Sequence, residues 1–260
     1  MITRLLVIAA VGAVVAGQQA PVGYDDTPMQ PNGRWHIHDG KRPQPPIVTP
    51  GAFSPSPPPQ DATVLVGAGA DRSAWQMMDG AAVTWPMTDG VLSTGKGMIR
   101  TRAEFTDYQL HVEFATPKDV KGNSQERGNS GVYLNGKFEI QVLDSYQNIT
   151  YPDGQAAAMY GQFPPLVNAS RPPGEWQAYD IVFTAPQFTV AGVVSKPAIV
   201  TVLHNGIVVH NATPFWGPTQ HKRIDPYTPD NARGPIALQD HGNPVRFRNI
   251  WIRPLGRDGE

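Results

Sequence analysis

The chain has 260 residues, no cysteine and a formal net charge of −1. The missing thiols exclude disulfides, a thiol nucleophile and any cysteine-ligated zinc. The near-neutral balance leaves no electrostatic footprint for nucleic acid or an anionic membrane surface, so no nucleic-acid partner is expected.

In chain order, Arg4 precedes an apolar run, Leu5–Ala16, that ends on small residues at Ala16-Gly17. A charged, then apolar, then small-residue order reads as a secretory signal peptide over residues 1–17. The run is too short for a comfortable membrane span. An uncleaved anchor is the alternative; cleavage would leave an exported protein, periplasmic or secreted, with no span. Residues 18–60 read as a proline-rich linker, because Pro43, Pro45, Pro46, Pro50, Pro55, Pro57, Pro58 and Pro59 leave few amide donors. It is expected to run extended over the surface or to be mobile. His36, His38 and Asp39 within it are either a metal-ligand set or ordinary loop polarity.

Residues 61–256 make one β-rich domain, followed by a tail at 257–260. Short strands are expected at 63–66, 83–85 and 91–93. Segment 108–115 alternates, with Tyr108, Leu110, Val112 and Phe114 against Gln109, His111 and Glu113. Asn135-Gly136 is a two-residue hairpin signal. With that turn, Tyr133 pairs with Phe138, Val132 with Glu139 and Ser130 with Gln141. Tyr133, Phe138, Ile140 and Val142 then share a core face, while Ser130, Glu139 and Gln141 converge on the other. A hydroxyl, a carboxylate and an amide on a rigid sheet, flanked by Asn129 and Asp144, suit a sugar-binding groove. A solvated face is the plainer reading.

A short helix is expected at 155–160. The loop Tyr160–Trp176 is long, aromatic and stiffened by proline. Tyr160 and Trp176 offer flat surfaces for sugar rings, and Arg171 offers a hydroxyl or carboxylate partner; capping of the core is the other reading for Trp176. Strands follow at 179–184, 198–204 and 207–212. The second Asn-Gly turn, at 205–206, puts His204 and His210 on opposite faces. His221, beside Lys222 and Arg223, reads as surface. The cluster Gln239-Asp240-His241-Gly242-Asn243 lies between two last strands, where Asp240 could tune His241 as an acid or base. Many short strands with Gly, Pro and Asn turns indicate an all-β antiparallel sandwich or jelly roll. No glycine-rich dinucleotide fingerprint follows a strand, so no nucleotide cofactor is expected.

The segments GNSGVYLNGKFEIQVLDSY, YGQFPPLVNASRPPGEWQAYDIVF, TVLHNGIVVHN and GPIALQDHGNPVRFRNIWIRPL resemble the 3-keto-disaccharide hydrolase family, also called 3-keto-glucoside lyases or hydratases and once a domain of unknown function. The resemblance covers roughly residues 71–255. It implies a concanavalin A-like jelly roll, of the lectin and glucanase type. It also implies a sugar already oxidised at C3: a base removes the acidified C2 proton, the C1 substituent leaves, and water adds back. On that reading Glu139 is the base or a metal ligand, and His241 is the second acid/base, oriented by Asp240. Asn129, Ser130, Gln141, Asp144 and Gln239 hold hydroxyls, and Arg246 or Arg248 polarises the ketone. A divalent metal on Glu139, Asp144 and His241 would suit an α-hydroxyketone. A separate sugar 3-dehydrogenase must supply the substrate. Two rivals are a binding module without catalysis and a retaining glucanase. The glucanase would need paired carboxylates about 5–5.5 Å apart, and Gln141 stands where its second carboxylate would be.

Overall fold

The computed structural model describes residues 22–256. The expected signal peptide and the tail at 257–260 lie outside the described residues.

Two antiparallel sheets pack face to face as an all-β jelly-roll sandwich. The larger sheet runs Ile207–Pro214, Ile199–His204, Gln177–Thr184, Tyr108–Ala115, Arg246–Pro254, Val91–Ser93 and Met87–Thr88, with Thr63–Val66 added on Arg246–Pro254. The smaller runs Trp75–Met77, Ile99–Thr101, Ala237–Leu238, Ser130–Leu134 and Phe138–Val142. Alternation explains the core. Leu110, Val112, Phe114, Tyr179, Ile181, Phe183 and Phe247 project from one sheet, and Ile99, Val132, Leu134, Phe138, Ile140 and Val142 meet them from the other. Each such side chain removed from water contributes about 1.5–3 kcal/mol. Among the described residues no helix is long and apolar enough to cross a membrane.

The key hairpin departs from the expected register by one residue. Lys137 N–H does close the turn on Leu134 O at 3.0 Å, with Asn135 and Gly136 both at positive φ. The ladder nevertheless sets Leu134 opposite Phe138 and Tyr133 opposite Glu139. Lys137 is thus an extra residue, and its carbonyl instead accepts from Thr219 N–H at 3.0 Å. A slip of one exchanges faces. Val132 joins the core, Tyr133 joins Glu139 and Gln141, and Ser130 turns inward, donating from Oγ to Gln239 O at 2.7 Å.

Three further expectations fail for similar reasons. Residues 155–160 are not helical. Ala157 N–H donates to Gln141 O, Gln141 N–H to Ala158 O and Tyr160 N–H to Glu139 O, so this segment covers an edge that Phe138–Val142 would otherwise leave unpaired. Residues 83–85 form no strand, although Val83 and Trp85 are buried. In the second hairpin a bulge places His210 opposite Val202 while His204 stays opposite Ile207. Both imidazoles therefore point inward, each to its own partner: His204 Nε2 to Gln177 Oε1 at 3.0 Å, His210 Nε2 to Ala157 O at 2.8 Å.

The proline-rich segment follows the surface and is fastened there. It pairs at Met29–His36 and, in parallel, at Ile47–Asn168. Ile37 and His38 are buried. His36 Nδ1 contacts Thr27 O, whereas His38 turns to Asp153, so the two histidines do not share a metal site.

Candidate active site

On the outward face of the smaller sheet a cavity of ≈ 580 Å³ is lined by residues from both ends of the chain. Its floor is the displaced register of the hairpin. Glu139 is 3 % exposed, and burial pushes its carboxyl up to about 8. Tyr133 OH donates to Glu139 Oε2 at 2.9 Å and opposes that rise by favouring the ionised form. Gln239 Nε2 donates to the same phenol at 3.2 Å. Burial also raises the Tyr133 phenol above its ordinary value, so it stays neutral and acts as a donor. Glu139 N–H is held by Thr219 Oγ1 at 2.9 Å. Gly131 makes room for this carboxylate: a β-carbon there would stand 2.3 Å from Glu139 Oε1.

Amides surround the carboxylate. The Gln141 side chain, with its nitrogen turned towards Glu139, donates to Glu139 Oε1 at 3.0 Å and to Ser130 O at 2.8 Å. Asn129 Nδ2 donates to Gln125 O at 2.6 Å. Asn129 Oδ1 and Gln239 Oε1 have no protein partner.

An aromatic group closes the other side. Tyr160 OH lies 3.1 Å from Tyr151 OH and 3.2 Å from His221 Nδ1. Burial pushes the Tyr160 phenol above its usual range. Burial, then His38, Lys222 and His241, lower the His221 imidazole. His241 also lines the cavity.

Of the residues singled out in the sequence, Glu139, Gln141, Asn129, Tyr160, Gln239 and His241 meet here. The others do not. Asp240 accepts from Gly97 N–H and Gly242 N–H, each at 2.8 Å, rather than orienting His241. Asp144 accepts from Arg127 Nε at 2.6 Å and from Tyr146 N–H at 3.1 Å, in a neighbouring recess. Glu139, Asp144 and His241 therefore do not converge, and among the described residues no cluster of three such groups could hold a metal ion. Arg171, Trp176, Arg246 and Arg248 lie outside the cavity. Arg246 and Arg248 project from the far face of the larger sheet, where their guanidinium carbons sit 5.2 and 4.0 Å from the Trp176 ring. Arg248 Nε bonds buried Glu113 at 2.6 Å, and the Arg171 guanidinium lies over Phe53 at 5.8 Å. Sequence reasoning missed Tyr133, His221 and Tyr24. Only the extra residue after Asn135-Gly136 could have revealed Tyr133, since three-residue hairpin loops are the next commonest class.

The model of the 3-keto-alpha-glucoside-1,2-lyase-like domain matches residues 61–253. The chain belongs to this family. A crystal structure of a proposed glycosyl hydrolase from Parabacteroides distasonis ATCC 8503 is 45% identical, with a TM-score of 0.74, over 82% of this chain and 93% of that one. A second proposed glycosyl hydrolase from the same organism is 19% identical, with a TM-score of 0.57, over 76% of this chain and 95% of that one, a likeness of fold. No protein with a curated description matches the chain. The family and the 45%-identical structure make this a carbohydrate-active protein of the hydrolase-like kind.

Proposed function

We propose that the protein cleaves 3-keto-glycosides by elimination and hydration, with Glu139 as the base. The observation that carries this reading is a single buried carboxylate, raised to about 8, on the floor of a polar cavity. A general base poised near the working pH is suited to proton transfer from carbon.

In the first half-reaction, ionised Glu139 takes the C2 proton. The C–H electrons form an enolate onto the C3 oxygen, for which Gln239 or His241 would be the donor. As the ketone re-forms, a C1–C2 double bond develops and the C1–O bond breaks. Tyr160, neutral and set between Tyr151 and His221, protonates the departing oxygen. Water then adds at C1, giving up a proton to the Tyr160 phenolate, while Glu139 returns its proton to C2. The sum is 3-keto-glycoside plus water giving 3-keto sugar plus alcohol. Each proton-transfer group is worth on the order of 10²–10⁴-fold. A separate dehydrogenase would supply the C3 ketone, and the N-terminal segment would direct export.

Turnover of a 3-keto-glucoside beside the unoxidised glucoside tests this. Cleavage of the keto form alone, through a 2-hydroxyglycal, supports it. Cleavage of the plain glycoside overturns it in favour of direct hydrolysis. Binding without turnover of either leaves a binding module.

A further inference from the structure

Residues 22–42 precede the family-matched domain, which starts at 61, yet they form part of the cavity wall. Tyr24 lines it. Its ring stands 5.8 Å from His221 and 6.0 Å from Tyr151, and Lys222 Nζ lies 3.6 Å above it. The segment is anchored rather than draped. Asp153 is wholly buried, and the partners of its carboxylate come from this segment. Gln30 Nε2 reaches Oδ2 at 3.2 Å, His38 N–H donates to Oδ2 at 2.9 Å, and His38 Nδ1 lies 3.2 Å from Oδ1. Gln30 Nε2 also donates to Gly161 O and Gln162 O, both at 3.0 Å. Tyr24 N–H then closes on His38 O at 2.9 Å, so the anchor sets the position of the ring. The crossing is tight: a β-carbon at Gly40 would stand 1.4 Å from Val22 O. A buried carboxylate without these partners would be costly, which couples docking of the segment to folding of the domain.

We propose that this strap supplies a leaving-group subsite, with Tyr24 as a specificity-determining residue and His38 and Asp153 as positioning residues. The inference rests on the reading of Glu139 as the base. Polar groups gather round Glu139, where the keto ring needs hydrogen bonds. Moving away from it, Tyr160 holds the Glu139 backbone carbonyl, His221 contacts Tyr160, and Tyr24 stands beyond His221. The flat aromatic end therefore lies past C1, on the side of the departing alcohol. A wall rich in ring faces suits an alcohol that itself carries a ring, pyranosyl or aryl.

The test compares kcat/KM for 3-keto-glucosides with methyl, glucosyl and phenyl leaving groups, in the full chain and in Tyr24→Ala, Tyr24→Phe and His38→Ala. Wild type should favour ring-bearing leaving groups, at a level of roughly five- to tenfold for one aromatic contact. Tyr24→Ala and His38→Ala should lose that preference mainly through KM, and Tyr24→Phe should keep it. The glucosyl and phenyl arms distinguish the two kinds of ring. Equal losses on all three substrates, or an unchanged preference, would overturn the subsite. If wild type turns over no keto-glycoside, the elimination reading fails. Calorimetric binding of unoxidised cellobiose and methyl glucoside then decides the strap separately. A disaccharide advantage that Tyr24→Ala removes upholds it, and no advantage in wild type sinks it.

Discussion

Tyr133 and Glu139 face each other across the hairpin ladder, joined by a 2.9 Å hydrogen bond from phenol to carboxylate. The pair exists because one extra residue, Lys137, follows the Asn-Gly turn. In the tighter register Tyr133 would sit in the core and Glu139 would face Val132, with no phenol beside it. The bond lowers a carboxyl that burial raises, and its removal should move the base further from neutrality.

Glu139→Gln keeps the size and loses the base. Turnover of a 3-keto-glucoside should fall by about 10²–10⁴-fold, while calorimetry should find substrate binding within a few-fold of wild type. Equal turnover in the two proteins would remove Glu139 from the chemistry.

The pH profile follows from the same group. The active base is ionised, so kcat/KM should rise with pH, reach half its plateau near 8, the value to which burial raises Glu139, and level off above that. In Tyr133→Phe the ionised form loses a donor, and the rising limb should shift to higher pH. A limb that stays in place would show that Tyr133 does not act on the carboxylate.

Gly131→Ala probes the room left for the carboxylate. Its β-carbon would stand 2.3 Å from Glu139 Oε1 and 3.0 Å from Tyr133 Cε2, so the carboxylate must move. A displacement near 1 Å can cost about 10²-fold in rate, and the kinetics should show a loss of that order in kcat. The circular dichroism spectrum should remain that of a folded β protein.

Acid should unfold the protein through two buried histidines. Burial lowers His204 to about 3 and His210 to about 4. Their folded values lie below their unfolded ones, so their contribution is complete above about 6.5 and is lost as pH falls. Melting temperature should drop steadily below pH 6.5, and His210→Gln should flatten part of that slope. Glu139 has the opposite sign. Its raised value favours the folded state at low pH, and ionisation between about 4.5 and 8 erodes that contribution.

Arg248→Ala separates stability from catalysis. Arg248 pairs with Glu113, which is wholly buried on the far face. Its loss should lower stability by about 1–3 kcal/mol in urea titration, with kcat/KM unchanged at a temperature where both proteins are folded. A large kinetic loss would restore Arg248 to the site, where sequence reasoning had put it.

Alternation along single strands was legible without coordinates. Tyr108, Leu110, Val112 and Phe114 face inward as their spacing requires, and the all-β sandwich follows from many such short strands. Glu139 and Gln141 on one outward face were legible too, because parity within one strand is a local property. What belongs to pairing was not. One bulged residue moved Tyr133 into the cavity and Ser130 out of it, and another brought His204 and His210 to the same side. Such slips cost nothing in local periodicity, and turn geometry and cross-strand packing decide them. Longer distances were less legible still. The contacts of Gln30 and His38 with Asp153 span more than a hundred residues, and the assignment of Arg246 and Arg248 to the far face depends on which sheet their strand joins. Local chemistry along the chain determined the fold class and the carboxylate at its centre. Only tertiary packing decided what surrounds that carboxylate, because burial and hydrogen-bond partners are properties of neighbours in space.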